Sequence, residues 1–156
     1  MTVPLGMRDE DIARVIDGYR EWIASERAKQ RPRLRLTRQY VSELEARRAA
    51  RALVAMLIDE EAPELGVAPK CIRIGDQRSR WGSCSTVGTL SFNWRLVLAP
   101  FDVLDYVVVH ELCHMRVPNH SRRFWKLVES RRPGWREQRL WLHEYGPELL
   151  AFRPAA

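Results

Sequence analysis

Apolar positions recur along this chain at two different periods. Over residues 8–28, Ile12, Val15, Ile16, Tyr19, Trp22 and Ile23 follow helical spacing and predict a first helix. A basic, proline-containing link at 30–35 ends it. A second helix is expected from Thr37, with Val41, Leu44, Ala52, Leu53, Met56 and Leu57 as its core stripe. Pro63, Gly66 and Pro69 then break the pattern. The period falls to two at Cys71-Ile72-Arg73-Ile74, which predicts a strand, and again at Thr89-Leu90-Ser91-Phe92-Asn93-Trp94, which predicts its hairpin partner. Residues 77–86 between them are polar and read as a loop. Three helical segments complete the chain, over 103–115, over 122–132 behind a Ser121 cap, and after Pro133-Gly134. The pattern predicts an α+β fold with N-terminal helices, a small antiparallel or mixed sheet and C-terminal helices. It forms a single globular unit, divided into a helix and basic linker at 1–36 and a compact domain at 37–156.

The segment 103–115 changes the picture most. Asp102 is placed to cap it, and Asp105 puts negative charge on its first turn. Residues 106–109 are apolar all round, so the helix is expected to be buried. Yet its C-terminal half reads His110-Glu111-Leu112-Cys113-His114. Buried imidazoles and a buried carboxylate cost several kcal/mol without partners. One turn apart on one helical face, His110 and His114 can share a metal ion. Glu111 lies about 100° round the helix, where a carboxylate can take a proton from a metal-bound water.

A third ligand is expected from His120, presented by the turn Val117-Pro118-Asn119, in which Pro excludes helix and Asn tolerates a left-handed backbone. The spacing HExxH-x5-H matches the metzincin consensus. Val117 stands where that consensus has Gly, and no methionine follows His120, so a Met-turn is excluded. The competing ligand is a later glutamate, Glu137 first and Glu129 next, as in gluzincins.

Ser79-Arg80-Trp81-Gly82-Ser83-Cys84, Phe92-Asn93-Trp94-Arg95-Leu96, the HExxH segment, Pro118-Asn119-His120-Ser121 and Phe124-Trp125 occur in that order over residues 71–142. This series resembles the YgjP-like metal-dependent hydrolases, relatives of the SprT-like zinc metalloproteases. The resemblance implies a compact zincin-type α+β domain, Zn²⁺ held by His110, His114 and His120, Glu111 as catalytic base, and a peptide or protein substrate. Candidate substrate contacts are Asn93 and Trp94, on a strand that could sit at the sheet edge beside the metal and bind an extended peptide. Arg80 is a further candidate, and Arg80, His143 or Tyr145 could stabilise a developing oxyanion.

Net charge is +6 for 156 residues. Basic residues crowd 27–38 and 116–139, where a nucleic-acid backbone could bind. The alternative function is therefore a metal-stabilised module, without catalysis, that binds nucleic acid or a protein. Cys71, Cys84 and Cys113 form neither a disulfide framework nor a CxxC site, the N-terminus lacks a signal-peptide pattern, and no apolar run reaches 18 residues. These features predict a cytoplasmic location and no membrane span. Cys113 is expected to pack as a small apolar side chain.

Overall fold

A computed structural model describes residues 42–154. The expected first helix, the basic link and Val41 lie outside the described residues. The order is helix α1 (Glu43–Leu65), strands β1 (Cys71–Gly75), β2 (Gly82–Cys84) and β3 (Thr89–Asn93), a 3-10 helix (Trp94–Leu98), then helices α2 (Phe101–His114), α3 (Arg122–Arg131) and α4 (Trp135–Ala151). This is the α+β arrangement expected from the two periods.

Helix α1 starts behind Ser42; the expected start at Thr37 lies outside the described residues. The Ser42 hydroxyl accepts from the Glu45 amide at 3.2 Å, the first half of an S-x-x-E cap. Gly66 ends the helix at φ 65°, a left-handed turn that returns its amide to Pro63. The buried stripe is Ala46, Ala50, Val54, Leu57, Ile58, Ala62 and Leu65. The expected stripe was thus rotated: Leu44 and Met56 are exposed at 58% and 49%. Alanines supply much of the true stripe, which lets the helix approach its neighbours closely.

The sheet has the order β1-β3-β2. β3 pairs in parallel with β1, Ile72 opposite Leu90, and antiparallel with β2, Ser83 opposite Ser91. The hairpin is therefore β2–β3, and the expected loop at 77–86 contains the missed strand. Three residues without apolar alternation carry no strand signal. Leu90 and Phe92 of the central strand are fully buried.

Helix α2 fills the middle of the domain. Val103, Leu104, Val107, Val108, Val109, Leu112 and Cys113 are all under 5% exposed, each large one stabilising the fold by about 1.5–3 kcal/mol. It begins after Pro100 with no side-chain cap. Asp102, the expected cap, instead accepts from Gln138 on α4. Asp105 pairs with Arg132. Arg131, the last residue of α3, and Arg132, which follows it, also hold Glu61 of α1, at 3.0 Å each. Burial works against a charged Glu61, but the two arginines outweigh it and lower its pKa.

Glu61 is 4% exposed, so Glu61→Gln is expected to cost about 2–4 kcal/mol, by leaving two guanidinium groups short of an acceptor. Because the folded-state pKa is lowered, this stability is present above the ordinary glutamate value and lost as pH falls below it. Urea melts at pH 7 and pH 3.5 check it: the wild-type advantage over Glu61→Gln should shrink at the lower pH.

Candidate metal centre

Helix α2 brings His110 and His114 to one face, and the turn after it returns His120 to the same point. The three Nε2 atoms stand 3.1, 3.2 and 3.0 Å apart in pairs. Nitrogens bonded tetrahedrally to one ion at about 2.0–2.1 Å would be about 3.3–3.4 Å apart. Three imidazole lone pairs meeting this closely cannot all be satisfied by one another, whereas a cation satisfies all three. The His triad is the one potential metal-holding group among the described residues. Glu129 is exposed and bonded to Arg136 at 2.7 Å, and Glu137 is exposed on the first turn of α4; neither belongs to the group.

The other ring nitrogens are oriented too. A ligand bound through Nε2 carries its proton on Nδ1. For His114 the acceptor is the Val117 carbonyl, at 3.2 Å. For His110 it is the Tyr106 hydroxyl, at 3.4 Å. Burial pushes the Tyr106 pKa up to about 12, so the hydroxyl stays protonated. Burial, with the neighbouring imidazoles and Arg139, drives the His110 pKa down to about 3, and burial lowers that of His114. Both are held neutral, as metal ligands must be. The turn at Val117-Pro118-Asn119 forms without any left-handed residue. Instead the Asn119 side chain accepts from the Ser121 amide at 3.3 Å, and Ser121 caps α3 through the Phe124 amide. The exposed His120 ring is then stacked on Trp125, centroids 5.6 Å apart at 20°.

Glu111 shares the cleft with the three histidines. The cleft encloses about 530 Å³ and is walled opposite α2 by Gly82, Ser83 and Cys84 of β2. Glu111 is 6% exposed. Burial lifts its pKa to about 7, against the opposing pull of Arg80. β2 presses on it: a Cβ at Gly82 would lie 2.6 Å from Glu111 Oε1, so any larger residue there must displace the Glu111 side chain.

Asn93 and Trp94 do not reach the cleft. β3 is the central strand, and both are at most 1% exposed. The Asn93 amide donates to the Gln77 carbonyl at 2.7 Å and its oxygen caps the 3-10 helix; Trp94 lies in a second small core with Ala46 and Ala50. The edge strand beside the histidines is β2. His143 is exposed in a separate groove and Tyr145 packs on Trp141, so neither lines the cleft. Cys113 is fully buried, its thiol pushed up to about 12 by that burial. Gly82 was legible in the sequence only as part of a motif, because its close approach to Glu111 is a property of two segments.

A family model described as "YgjP-like, metallopeptidase domain" matches residues 37–145. The chain belongs to this YgjP-like metallopeptidase family. Among solved structures, the YgjP-like chain is similar to the metallopeptidase zymogen of Pyrococcus abyssi, abylysin, at 23% identity over 60% of this chain and 95% of that one, with a TM-score of 0.53. That likeness is one of fold. A search of curated protein sequences finds no relative.

His120→Ala is expected to weaken metal binding by more than the roughly 10–100-fold typical of losing an outer-shell partner, while Glu137→Ala leaves it unchanged. Metal per chain after dialysis, measured by plasma mass spectrometry, distinguishes them; the reverse order would make Glu137 the third ligand.

Proposed function

We propose that this YgjP-like chain is a zinc-dependent peptidase in which His110, His114 and His120 hold the ion and Glu111 is the general base. The observation that carries the reading is a nearly buried carboxylate, without a hydrogen bond among the described residues, in the same cleft as three converging imidazoles. A purely structural site would close its fourth position with protein and have no use for such a base. Zn²⁺ in the triad would supply a Lewis acid that polarises a peptide carbonyl and acidifies water.

The chain's own residues do the rest. Glu111, with a pKa near neutrality, accepts a proton at its carboxylate and returns it to the leaving amine nitrogen. Gly82 fixes that carboxylate from behind. The edge of β2 offers unpaired main-chain groups along the cleft, so an extended peptide can lie against Gly82, Ser83 and Cys84 as a further strand. Val87, 65% exposed at the β2–β3 turn, is an apolar contact at the end of that path. Arg80, exposed and electrostatically coupled to Glu111, is the candidate for stabilising the oxyanion.

The nucleic-acid alternative draws less support. Within the basic segment 116–139, Arg116 is bonded to the Leu65 carbonyl, Arg131 and Arg132 to Glu61, and Arg136 to Glu129. These four cations are engaged within the fold, which leaves Arg122, Arg123, Lys126 and Arg139 as the exposed cations of the segment outside these bonds.

Glu111→Gln is expected to keep the metal and lower hydrolysis of peptide substrates by about 10²–10⁴-fold. Undiminished turnover by the metal-loaded variant would remove Glu111 from the mechanism. Gly82→Ala should lower turnover by about 10–100-fold with metal content unchanged, because a displacement of about 1 Å in a base is costly; activity equal to wild type would show that the contact with Glu111 is dispensable.

A further inference from the structure

The exposed face of α4 carries Arg136, Arg139, Leu140 and His143, spaced i, i+3, i+4 and i+7. With Trp135 they line a groove of about 410 Å³, separate from the metal cleft. Trp125 touches both sites. Its ring stacks on His120 on the one hand, and Arg139 lies over it at 5.0 Å on the other.

The cations in this groove are not equivalent. Arg136 is bonded to Glu129 at 2.7 Å. Arg139 has no acidic partner among the described residues, and two indoles hold its guanidinium, Trp125 at 5.0 Å and Trp135 at 6.0 Å. A guanidinium held against aromatic rings keeps its N–H edges available, and a carboxylate meets such an edge in two parallel hydrogen bonds. The groove holds a further polar group, the exposed His143. Leu140, 48% exposed, sets an apolar surface beside them. The rings themselves are not free for a nucleic-acid base. Trp135 is stacked on Trp125 at 4.3 Å and 19°, and Arg136 lies over it at 4.5 Å, so the stacking that unpaired bases need is already taken.

We propose that Arg139, in the groove formed by Trp135, Arg136, Leu140 and His143, anchors a carboxylate of the peptide substrate next to the metal centre. This rests on the peptidase reading of the cleft and adds a substrate class to it, peptides that carry an acidic side chain or a free C-terminus at one end of the bound segment.

The test reads binding apart from turnover. Fluorescein-labelled peptides are titrated by anisotropy into the full-length Glu111→Gln protein, alone and combined with Arg139→Gln or Arg139→Lys. The probes are a Glu-containing peptide, its Gln counterpart, and each with a free or amidated C-terminus. The acid forms should bind about tenfold or more tightly than their neutral partners. Arg139→Gln should abolish that preference and leave neutral peptides unchanged, and Arg139→Lys should restore part of it. Loss with the Gln peptide assigns the anchor to an acidic side chain; loss with the amide assigns it to the C-terminal carboxylate. Equal binding of acid and neutral peptides by the protein with Arg139 intact overturns the proposal. So does an Arg139→Gln defect common to both, which would be structural, or Arg139-dependent displacement by a single-stranded oligonucleotide. Wild-type protein that prefers acidic peptides but cleaves none would retain the groove and refute the peptidase reading; cleavage without acidic preference would do the reverse.

Discussion

A carboxylate can be kept out of water only where burying its surroundings more than repays its own desolvation. In this domain the surroundings are helix α2, whose valines and leucines pack on α1 and the sheet on one side and on α3 and α4 on the other. Glu111 is one residue among these, and its backbone is fixed by the helix. The backbone of Gly82 closes the space behind it. The raised pKa, the shared cleft and the alignment with the imidazoles all follow from the burial of that one helix. The polar strip at its C-terminal end is the part that the rest of the core leaves uncovered.

The third histidine is held in a different way. His110 and His114 inherit their positions from helical geometry, but His120 is exposed on a turn. What fixes it is the start of α3: the Asn119 and Ser121 side chains bond to α3-proximal amides, and the Trp125 ring lies flat against the imidazole. α3 is in turn tied to α1 and α2 by Arg131 and Arg132 through Glu61 and Asp105. The ion-pair cluster lies away from the cleft, yet it sets the position of the element that holds His120. A loss of Glu61 would therefore reach His120 through α3.

Much of this was legible in the chain. HExxH in an apolar helical run places two imidazoles and a carboxylate on a buried helix, because period 3.6 fixes their relations locally. The proline, Asn and Ser after it specify a turn and a cap. The misreadings share one cause. The stripe of α1 was rotated because alanines bury as readily as leucines where two helices approach closely, and composition alone does not show which face is approached. β2 was read as loop since its burial comes from α2 and β3, not from alternation of its own. Asn93 and Trp94 looked like substrate contacts while β3 was taken for an edge; with β2 outside it, they face inward. Asp102 and Asp105 looked like helix-terminal charges and are in fact partners of Gln138 and Arg132. In each case the deciding contact is between segments far apart in sequence.

Charge also depends on contacts between distant segments. The excess of basic residues suggests a polyanion-binding surface when residues are only counted. The structure sorts them by what they already touch. Arg116 closes the end of α1, Arg131 and Arg132 bind the buried Glu61, Arg95 is sunk against Trp94 and Asp76, and Arg136 is neutralised by Glu129. A guanidinium engaged by a carboxylate or a carbonyl contributes to stability and has little left for a ligand. Arg80 and Arg139 differ because the groups beside them are Glu111 in the one case and aromatic rings in the other. Exposed Arg80 acts electrostatically on Glu111, and exposed Arg139 lies over Trp125, the ring stacked on His120.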